Sequence, residues 1–200
     1  MKSFDHLTII CIKATQKQVL EGFVNEFSPK ELQYQWRKNI IVRDSFYHYY
    51  EQKTGYNTIK CLIYSPKCKP DTTVFYTNLD DGWNHFVEHY LIKHNNWDSY
   101  YFSFADAPNI LLPSFQMFNY GNGGHRYLLC QKEAKWIFYQ EGNPLPFEDI
   151  ERYKQRLIKK RVDMQLLLKY MRMAGWDLES DDFWIAEGDA IEYEQIKESK

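Results

Sequence analysis

The sequence lacks the features that mark a membrane, secreted or metal-dependent protein. No run approaches the about 18 apolar residues that a spanning helix needs, and the first ten residues, MKSFDHLTII, make a poor signal peptide. The four cysteines include no CxxC pair, and the net charge is only −2, so no global charge favours nucleic acid. We therefore expect a cytoplasmic protein without a metal, a cofactor or a membrane contact.

The cysteines favour a reducing compartment. Cys11, Cys61 and Cys130 each lie inside an apolar, strand-like run, and only Cys68 lies in a loop-like segment, SPKCKPD. Buried free thiols are typical of proteins in reducing surroundings. A Cys61–Cys68 disulfide remains the alternative.

Aromatic residues are abundant, with 6 Trp, 16 Tyr and 13 Phe, or 18% of the chain. Tyrosine combines an apolar ring with a hydrogen-bonding tip, which suits the margin of a core and a recognition surface alike. The 200 residues are enough for one large domain that buries about 70% of its unfolded surface. Composition therefore indicates a globular protein and leaves its function open.

Apolar periodicity predicts an α+β fold in which a strand–helix–strands unit occurs twice. We expect one domain, 1–200, with an antiparallel sheet, two helices packed on one face and a helical pair after it. Possible sub-units 1–70 and 71–147, helices over 148–175 and an acidic tail over 176–200 complete the layout. The predicted strands are 6–12, 33–43, 45–51, 58–64, 73–77, 99–105, 115–120, 126–131 and 136–140. The predicted sheet helices are 15–27 and from Asn78 or Asp80 to about 95. Thr15 and Gln18 form a capping box at the start of the first helix, whose apolar face is expected to be Val19, Leu20, Phe23, Val24 and Phe27.

The segment His85-Phe86-Val87-Glu88-His89 matches the H-x-x-E-H pattern of zinc peptidases. At 100° per residue the two histidines fall opposite the apolar face, so we expect them in solvent rather than on a metal. His94 falls on the apolar face and is expected to be a hydrogen-bonded edge histidine. An enzyme, hydrolase-like and using His85, Glu88 or His125, is the alternative function.

The glycine-rich segment 121–125 lies between two strand-like runs. Phosphate-binding loops lead from a strand into a helix, so a hairpin loop is the better interpretation, and an anion cradle is the alternative. Tyr120 and His125 flank this loop and are candidate binding residues.

Charge is distributed unevenly along the chain. Residues 152–161, RYKQRLIKKR, are expected to lie on a helix from about 148 to 161, with Arg152, Arg156, Lys159 and Lys160 on one face as candidate binding residues. The segment 177–200 carries a net charge of −7, which leaves +5 for 1–176. A solvated helix face and tail is one interpretation. The other is a docked tail, with Phe183, Trp184 and Ile185 buried and its acids beside the basic helix.

A resemblance covers residues 126–176. This stretch joins a hairpin ending in WIFYQEGNPLPFE, the basic segment YKQRLIKKR and a helix that Asp163 caps and that ends at Gly175-Trp176, with Gly175 as a left-handed stop. It resembles small uncharacterised bacterial proteins of the toxin-immunity type. The resemblance implies a non-catalytic, protein-binding domain that occludes a toxin partner, and a homodimer is the other expected partner. Nucleic acid and membrane partners are not expected.

Overall fold

The structure is a computed structural model that describes residues 4, 6–27, 35–47, 49–50, 58–79, 83, 86–105, 114–119, 124–132 and 134–196. Its strands are β1 (His6–Ile12), β2 (Gln35–Ile41), β3 (Lys60–Tyr64), β4 (Thr73–Thr77), β5 (Asp98–Ala105), β6 (Ser114–Asn119), β7 (Gly124–Lys132), β8 (Trp136–Glu141) and β9 (Ala190–Ile196). Its helices are α1 (Gln16–Glu26), α2 (π-helical over Val87–Ile92 and α-helical over Lys93–Asn95), α3 (Ile150–Tyr153) and α4 (Met164–Met173), with 3₁₀ turns at Ile158–Lys160 and Asp181–Phe183.

The strands form one antiparallel sheet in the order β2-β9-β3-β4-β1-β5-β6-β7-β8. This confirms the predicted α+β class with an antiparallel sheet. β4 lies between β3 and β1, so strands from 1–70 and 71–147 are interleaved in the sheet. Whether the two units are a repeat stays a prediction. In the part of the chain that the structure describes, β2 and β8 are the edges of the sheet.

Helix α1 begins where the capping pattern predicts. Thr15 Oγ1 accepts a bond from Gln18 N at 3.4 Å, and Gln18 Oε1 accepts one from Thr15 N at 3.0 Å. Phe23 is buried and stacks on Tyr193 at 4.6 Å between ring centroids. Val24 was expected on the buried face but is half exposed, because it lies at the margin of α1 beside a shallow depression.

Helix α2 packs on the same face of the sheet as α1, as predicted. Val87, Leu91 and Ile92 are buried in one core with Phe23. Asn78 does not cap this helix: its side chain accepts from Lys60 N at 2.9 Å and donates to the carbonyl of Thr58 at 3.0 Å. The alternative cap, Asp80, lies outside the described residues.

The opposite face of the sheet is covered by α4 and the segments around it. Asp163 caps α4 by accepting from Leu166 N at 2.9 Å, and Gly175 follows the helix with φ +102°, a conformation that favours glycine. Both features were predicted. Leu167, Tyr170 and Trp176 are buried against this face. The sheet is therefore the middle of three layers.

Residues 45–51 do not form the predicted strand over the part described, 45–47 and 49–50. Phe46 N donates to the carbonyl of Trp184 at 2.7 Å, and Tyr49 N donates to that of Phe46 at 3.0 Å, which makes a turn. Phe46 and Tyr50, four residues apart, are the buried positions. Aromatic residues have high strand propensity, but tertiary packing overrides that propensity here.

The acidic C-terminal segment is part of the fold. Phe183 and Trp184 are fully buried and Ile185 is half-buried, so the predicted docking of the apolar patch is confirmed for two of its three residues. The predicted ion pairs between the acids of this segment and the basic residues of 152–161 are wrong. Asp182 lies 3.6 Å from Lys67, and Arg152 pairs with Asp163 instead. Residues 190–196 form β9 between β2 and β3, so this part of the predicted tail is an interior strand.

Candidate functional site

The basic residues of 152–161 do not share a helical face. Helix α3 ends at Tyr153, and beyond it the side chains of Arg152 and Arg161 bond carbonyl groups of the segment itself. Arg152 Nε donates to the carbonyl of Lys160 at 3.1 Å, and Arg161 Nε donates to that of Gln155 at 2.8 Å. The segment is thus a folded-back loop. Arg156, Lys159 and Lys160 are exposed on it, so they remain available to a partner.

The structure does not bring His125 to this loop. Arg126, Leu128 and Cys130 are the buried positions of β7, and Cys130 Sγ lies 3.4 Å from the carbonyl oxygen of Ile158 on the loop side. Because side chains alternate along a strand, His125 faces the other side of the sheet. Its Nε2 lies 2.9 Å from Glu141 Oε1, and bonds from Tyr139 and His125 lower the pKa of Glu141. Tyr120 lies outside the described residues.

The H-x-x-E-H segment is described in part. His85 lies outside the described residues, Glu88 is half-buried on α2, and His89 is exposed as predicted. His94 Nδ1 pairs with Glu26 Oε2 at 3.2 Å at the edge of the helical layer. Across the described ranges, no cluster of three or more His, Cys, Asp or Glu side chains is placed to hold a metal ion. The hydrolase-like alternative stays a prediction.

A buried ion pair that sequence reasoning missed joins β7 to the loop before α3. Both the Arg126 and Glu148 side chains are almost wholly buried, and Arg126 Nη2 lies 2.6 Å from Glu148 Oε2. Arg126 also donates to Gln140 Oε1 and to the carbonyls of Glu141 and Gly142. The alternation of Arg126, Leu128 and Cys130 in the sequence could have placed the arginine on the core face.

Two tyrosines complete this network. Tyr153 Oη donates to Glu148 Oε2 at 2.9 Å and lies 2.8 Å from Tyr170 Oη. Burial and the Tyr170 bond raise the pKa of Tyr153 far above its ordinary value. Burial alone would lower the pKa of Arg126, but the bonds and charge of Glu148 outweigh it and raise that pKa. The groups satisfy one another, so we assign this network to stability.

A second buried carboxylate, Glu192 of β9, lies near the β2 edge. Its Oε2 accepts from Tyr49 Oη at 3.0 Å and from Tyr50 Oη at 3.1 Å, and Lys60 Nζ lies 4.0 Å from Oε1. Burial and the neighbouring Glu192 charge raise the pKa of Tyr50 well above its ordinary value. This cluster fixes the turn at 46–50 against the sheet, so it is also structural.

The buried tyrosines predict a loss of stability at alkaline pH. Burial raises the pKa of Tyr76 from 10.0 to about 12, and it raises those of Tyr50, Tyr64 and Tyr153 further. The unfolded chain loses these protons above pH 10 while the folded chain keeps them. The free energy of unfolding should thus begin to fall above about pH 9, where the thiols of Cys11 and Cys61 lose their protons only in the unfolded chain because burial raises their pKa. Above pH 10 the fall should steepen by about 1.4 kcal/mol per pH unit for each tyrosine.

Urea denaturation at several pH values between 10 and 12 measures this slope. Tyr153→Phe removes one titrating group, so the free energy of unfolding should fall by about 1.4 kcal/mol less per pH unit than in wild type. A free energy of unfolding that stays constant up to pH 12 would show that these hydroxyls are not buried.

The β2 edge, defined as residues 35–43 with the facing side of α1, is the place where exposed apolar side chains gather. Ile40 is 62% exposed, Val42 is 84% exposed and Val24 of α1 is 50% exposed. Between α1 and the strands lies a shallow depression of about 370 Å³. Its lining residues are Leu20, Glu21, Val24, Asn25, Lys38 and Tyr193.

The backbone of β2 is open along one side within the described ranges. Its seven residues pair only with β9 there, from Gln35 opposite Ile196 to Ile41 opposite Ala190. An edge strand presents a row of backbone N–H and C=O groups that can pair with another strand. Apolar side chains, a depression and an open ladder therefore coincide at one edge of the sheet.

No protein-family model, curated protein or solved structure matches the chain. No helix in the described part of the chain is long and apolar enough to cross a membrane.

Proposed function

We propose that the chain is a protein-binding domain that receives its partner along the β2 edge. The observation that carries this proposal is the exposure of Ile40, on a strand with no described neighbour on one side, and of Val42 just after it, next to the depression beneath Val24. Exposed apolar groups that lie together on a surface are typical of interaction sites. Strand addition at such an edge gives affinity through the main chain and specificity through alternate side chains.

The resemblance of residues 126–176 to toxin-immunity proteins makes a toxin domain the proposed partner. Immunity by occlusion needs a rigid surface and no catalytic group, and the bonded networks around Glu148 and Glu192 supply rigidity near both ends of the sheet, on the face that α4 covers. The four free cysteines fit a cytoplasmic, reducing location, where such a partner would be neutralised.

The exposed loop residues Arg156, Lys159 and Lys160 are proposed to speed the encounter. They are exposed cations beside β7 and β8, at the far end of the sheet from β2. A charged patch of this kind raises the association rate more than the affinity. Reversing Lys159 and Lys160 to glutamate should therefore slow binding at low salt only, without changing the dissociation rate, because salt screens charges this far from the β2 edge.

Substitution of Ile40 by aspartate tests the binding surface. With the product of the gene directly upstream as the first partner, Ile40→Asp should weaken binding at least about thirtyfold, since central anchors contribute about 2 kcal/mol or more. The side chain is exposed, so stability should change by less than about 0.5 kcal/mol. Calorimetric titration of the partner into each variant measures the dissociation constant, and urea denaturation measures the free energy of unfolding.

Met173→Asp is the matched control. Met173 is 53% exposed on α4, on the opposite face of the sheet, so this variant should bind like wild type. Equal binding by Ile40→Asp and wild type would place the interface elsewhere. Equal weakening by both variants would point to a general loss of solubility instead.

A further inference from the structure

We propose that the partner segment at the β2 edge is an extended, acidic strand that adds beside β2. This inference rests on the proposed function and names the chemistry of the segment that the edge selects. Three features of the edge carry it: a lysine without a described carboxylate partner, an indole N–H without a described acceptor, and a charge pattern that opposes self-pairing.

The strand of the β2 edge is basic, whereas the α1 side contributes Glu21, which lies 3.9 Å from Lys17. Residues 35–43 contain Arg37, Lys38 and Arg43 and no acidic residue. Arg37 lies 3.6 Å from Glu194, and the Arg43 guanidinium lies 5.1 Å from the ring centroid of Tyr49. Lys38 is exposed at the depression, and no described carboxylate lies within ion-pair distance of it. Lys38 is therefore the cation that a carboxylate of the partner would meet.

Trp36 offers a second donor on the same side of the strand. Its ring contacts Phe23 of α1 at 5.6 Å, and alternation puts Lys38 on that side too, about 7 Å along the strand. The indole Nε1 is buried and has no acceptor among the described residues. An unmet buried donor is costly, so the ring would gain a bond by turning its N–H toward a carboxylate or carbonyl of the added strand.

A second copy of this chain fits the edge poorly. Lys38 is the central residue of Gln35–Ile41, so full-length antiparallel pairing of two β2 strands places Lys38 directly opposite its own copy. Like charges opposite each other in a strand pair are destabilising. Basic residues on an edge are a known device against such self-association, and the same residues still admit an acidic strand.

The side-chain pattern of the partner follows from the edge. On the side facing α1, the edge presents Lys38 and then Ile40, which is opposite Ile191 of β9. A strand that matches them carries an acidic residue and, two positions away, an apolar one. The depression beside Lys38, with a volume of about 370 Å³, has room for that apolar side chain.

Two synthetic peptides test the charge preference. The acidic peptide repeats the four-residue pattern Glu-Thr-Val-Thr, which places a valine two positions after each glutamate. The basic peptide has lysine in place of each glutamate. Calorimetric titration should show the acidic peptide binding wild type at least about tenfold more tightly than the basic one. Lys38→Glu should reverse that order, and Trp36→Phe, which keeps the ring and removes the donor, should weaken the acidic peptide.

Lys169→Glu is the control, because it makes the same charge change at an exposed position of α4. If it weakens the acidic peptide as much as Lys38→Glu does, the attraction is non-specific and the inference is wrong. A wild-type dimer in sedimentation that Ile40→Asp makes monomeric would also overturn it, in favour of a second copy.

Binding of the upstream gene product distinguishes a failure of the acidic-strand inference from a failure of the proposed binding edge. If neither peptide binds, but the upstream gene product binds wild type and not Ile40→Asp, the edge is a binding surface and the acidic-strand inference fails. If neither peptide binds and Ile40→Asp leaves the upstream product bound, both proposals fail.

Discussion

Replacing Arg126 with methionine should lower the free energy of unfolding by about 3–5 kcal/mol. The substitution leaves Glu148 buried without its ion-pair partner, because the Glu148 side chain is almost wholly inaccessible. Tyr153 and the backbone N–H of Leu145 would still donate to it, but no positive charge would remain. Urea denaturation of both proteins measures the difference.

The double variant Arg126→Met, Glu148→Leu should recover most of that loss, because apolar side chains can replace a buried ion pair. Arg172→Met is the surface control. Arg172 pairs with Asp177 at 3.3 Å and with Glu179, but it is half exposed, so its loss should cost less than about 1 kcal/mol. A cost for Arg126→Met as small as that of Arg172→Met would contradict the burial of the pair.

Ending the chain after Asp189 should abolish cooperative folding. The truncation removes β9, which joins β2 to β3, and with it the buried residues Ile191 and Tyr193. Without β9 the strand β2 has no described neighbour, and an open edge is left at β3. Near-ultraviolet circular dichroism should lose its signal, and urea should give no sigmoidal transition.

A chain that ends at Ile196 is the control, since it keeps every described strand. It should unfold cooperatively, as the full chain does. If the chain that ends at Asp189 also unfolds cooperatively with a similar midpoint, β9 is not an interior strand.

Sequence patterns predicted two kinds of element: helices whose ends are set by neighbouring capping residues, and strands with a regular pattern of apolar residues. Thr15 and Gln18 gave the start of α1, and Asp163 and Gly175 gave the limits of α4, because caps act through neighbouring residues. The alternating or continuous apolar runs of β1, β4 and β7 gave those strands to within two residues.

Elements that depend on distant partners were not predictable. β9 alternates apolar and acidic residues, but its acids suggested a solvated tail; in the fold Glu192 meets Tyr49 and Tyr50, and Glu194 meets Lys60. The basic segment after α3 looked helical because its charge spacing fits a helix. Arginine side chains that bond its own carbonyls make it a loop.

The candidate site was missed because strand order is not written in a sequence. Ile40 and Val42 belong to a run, NIIVR, that resembles a buried strand. Only the position of β2 at the edge of the sheet exposes them. The Arg126–Glu148 pair was missed for a related reason: alternation with Leu128 and Cys130 could have placed Arg126 on the core face, but no sequence pattern identifies Glu148 as its partner.

Amide hydrogen exchange across β2, with and without the upstream gene product, tests the binding edge most directly. In the free protein, the amides of Gln35–Ile41 that do not bond to β9 should exchange quickly. Binding by strand addition should slow those amides strongly and leave the amides of β8, at the other edge, unchanged. Unaltered exchange over β2 in a complex that protects another segment would contradict the proposed binding edge.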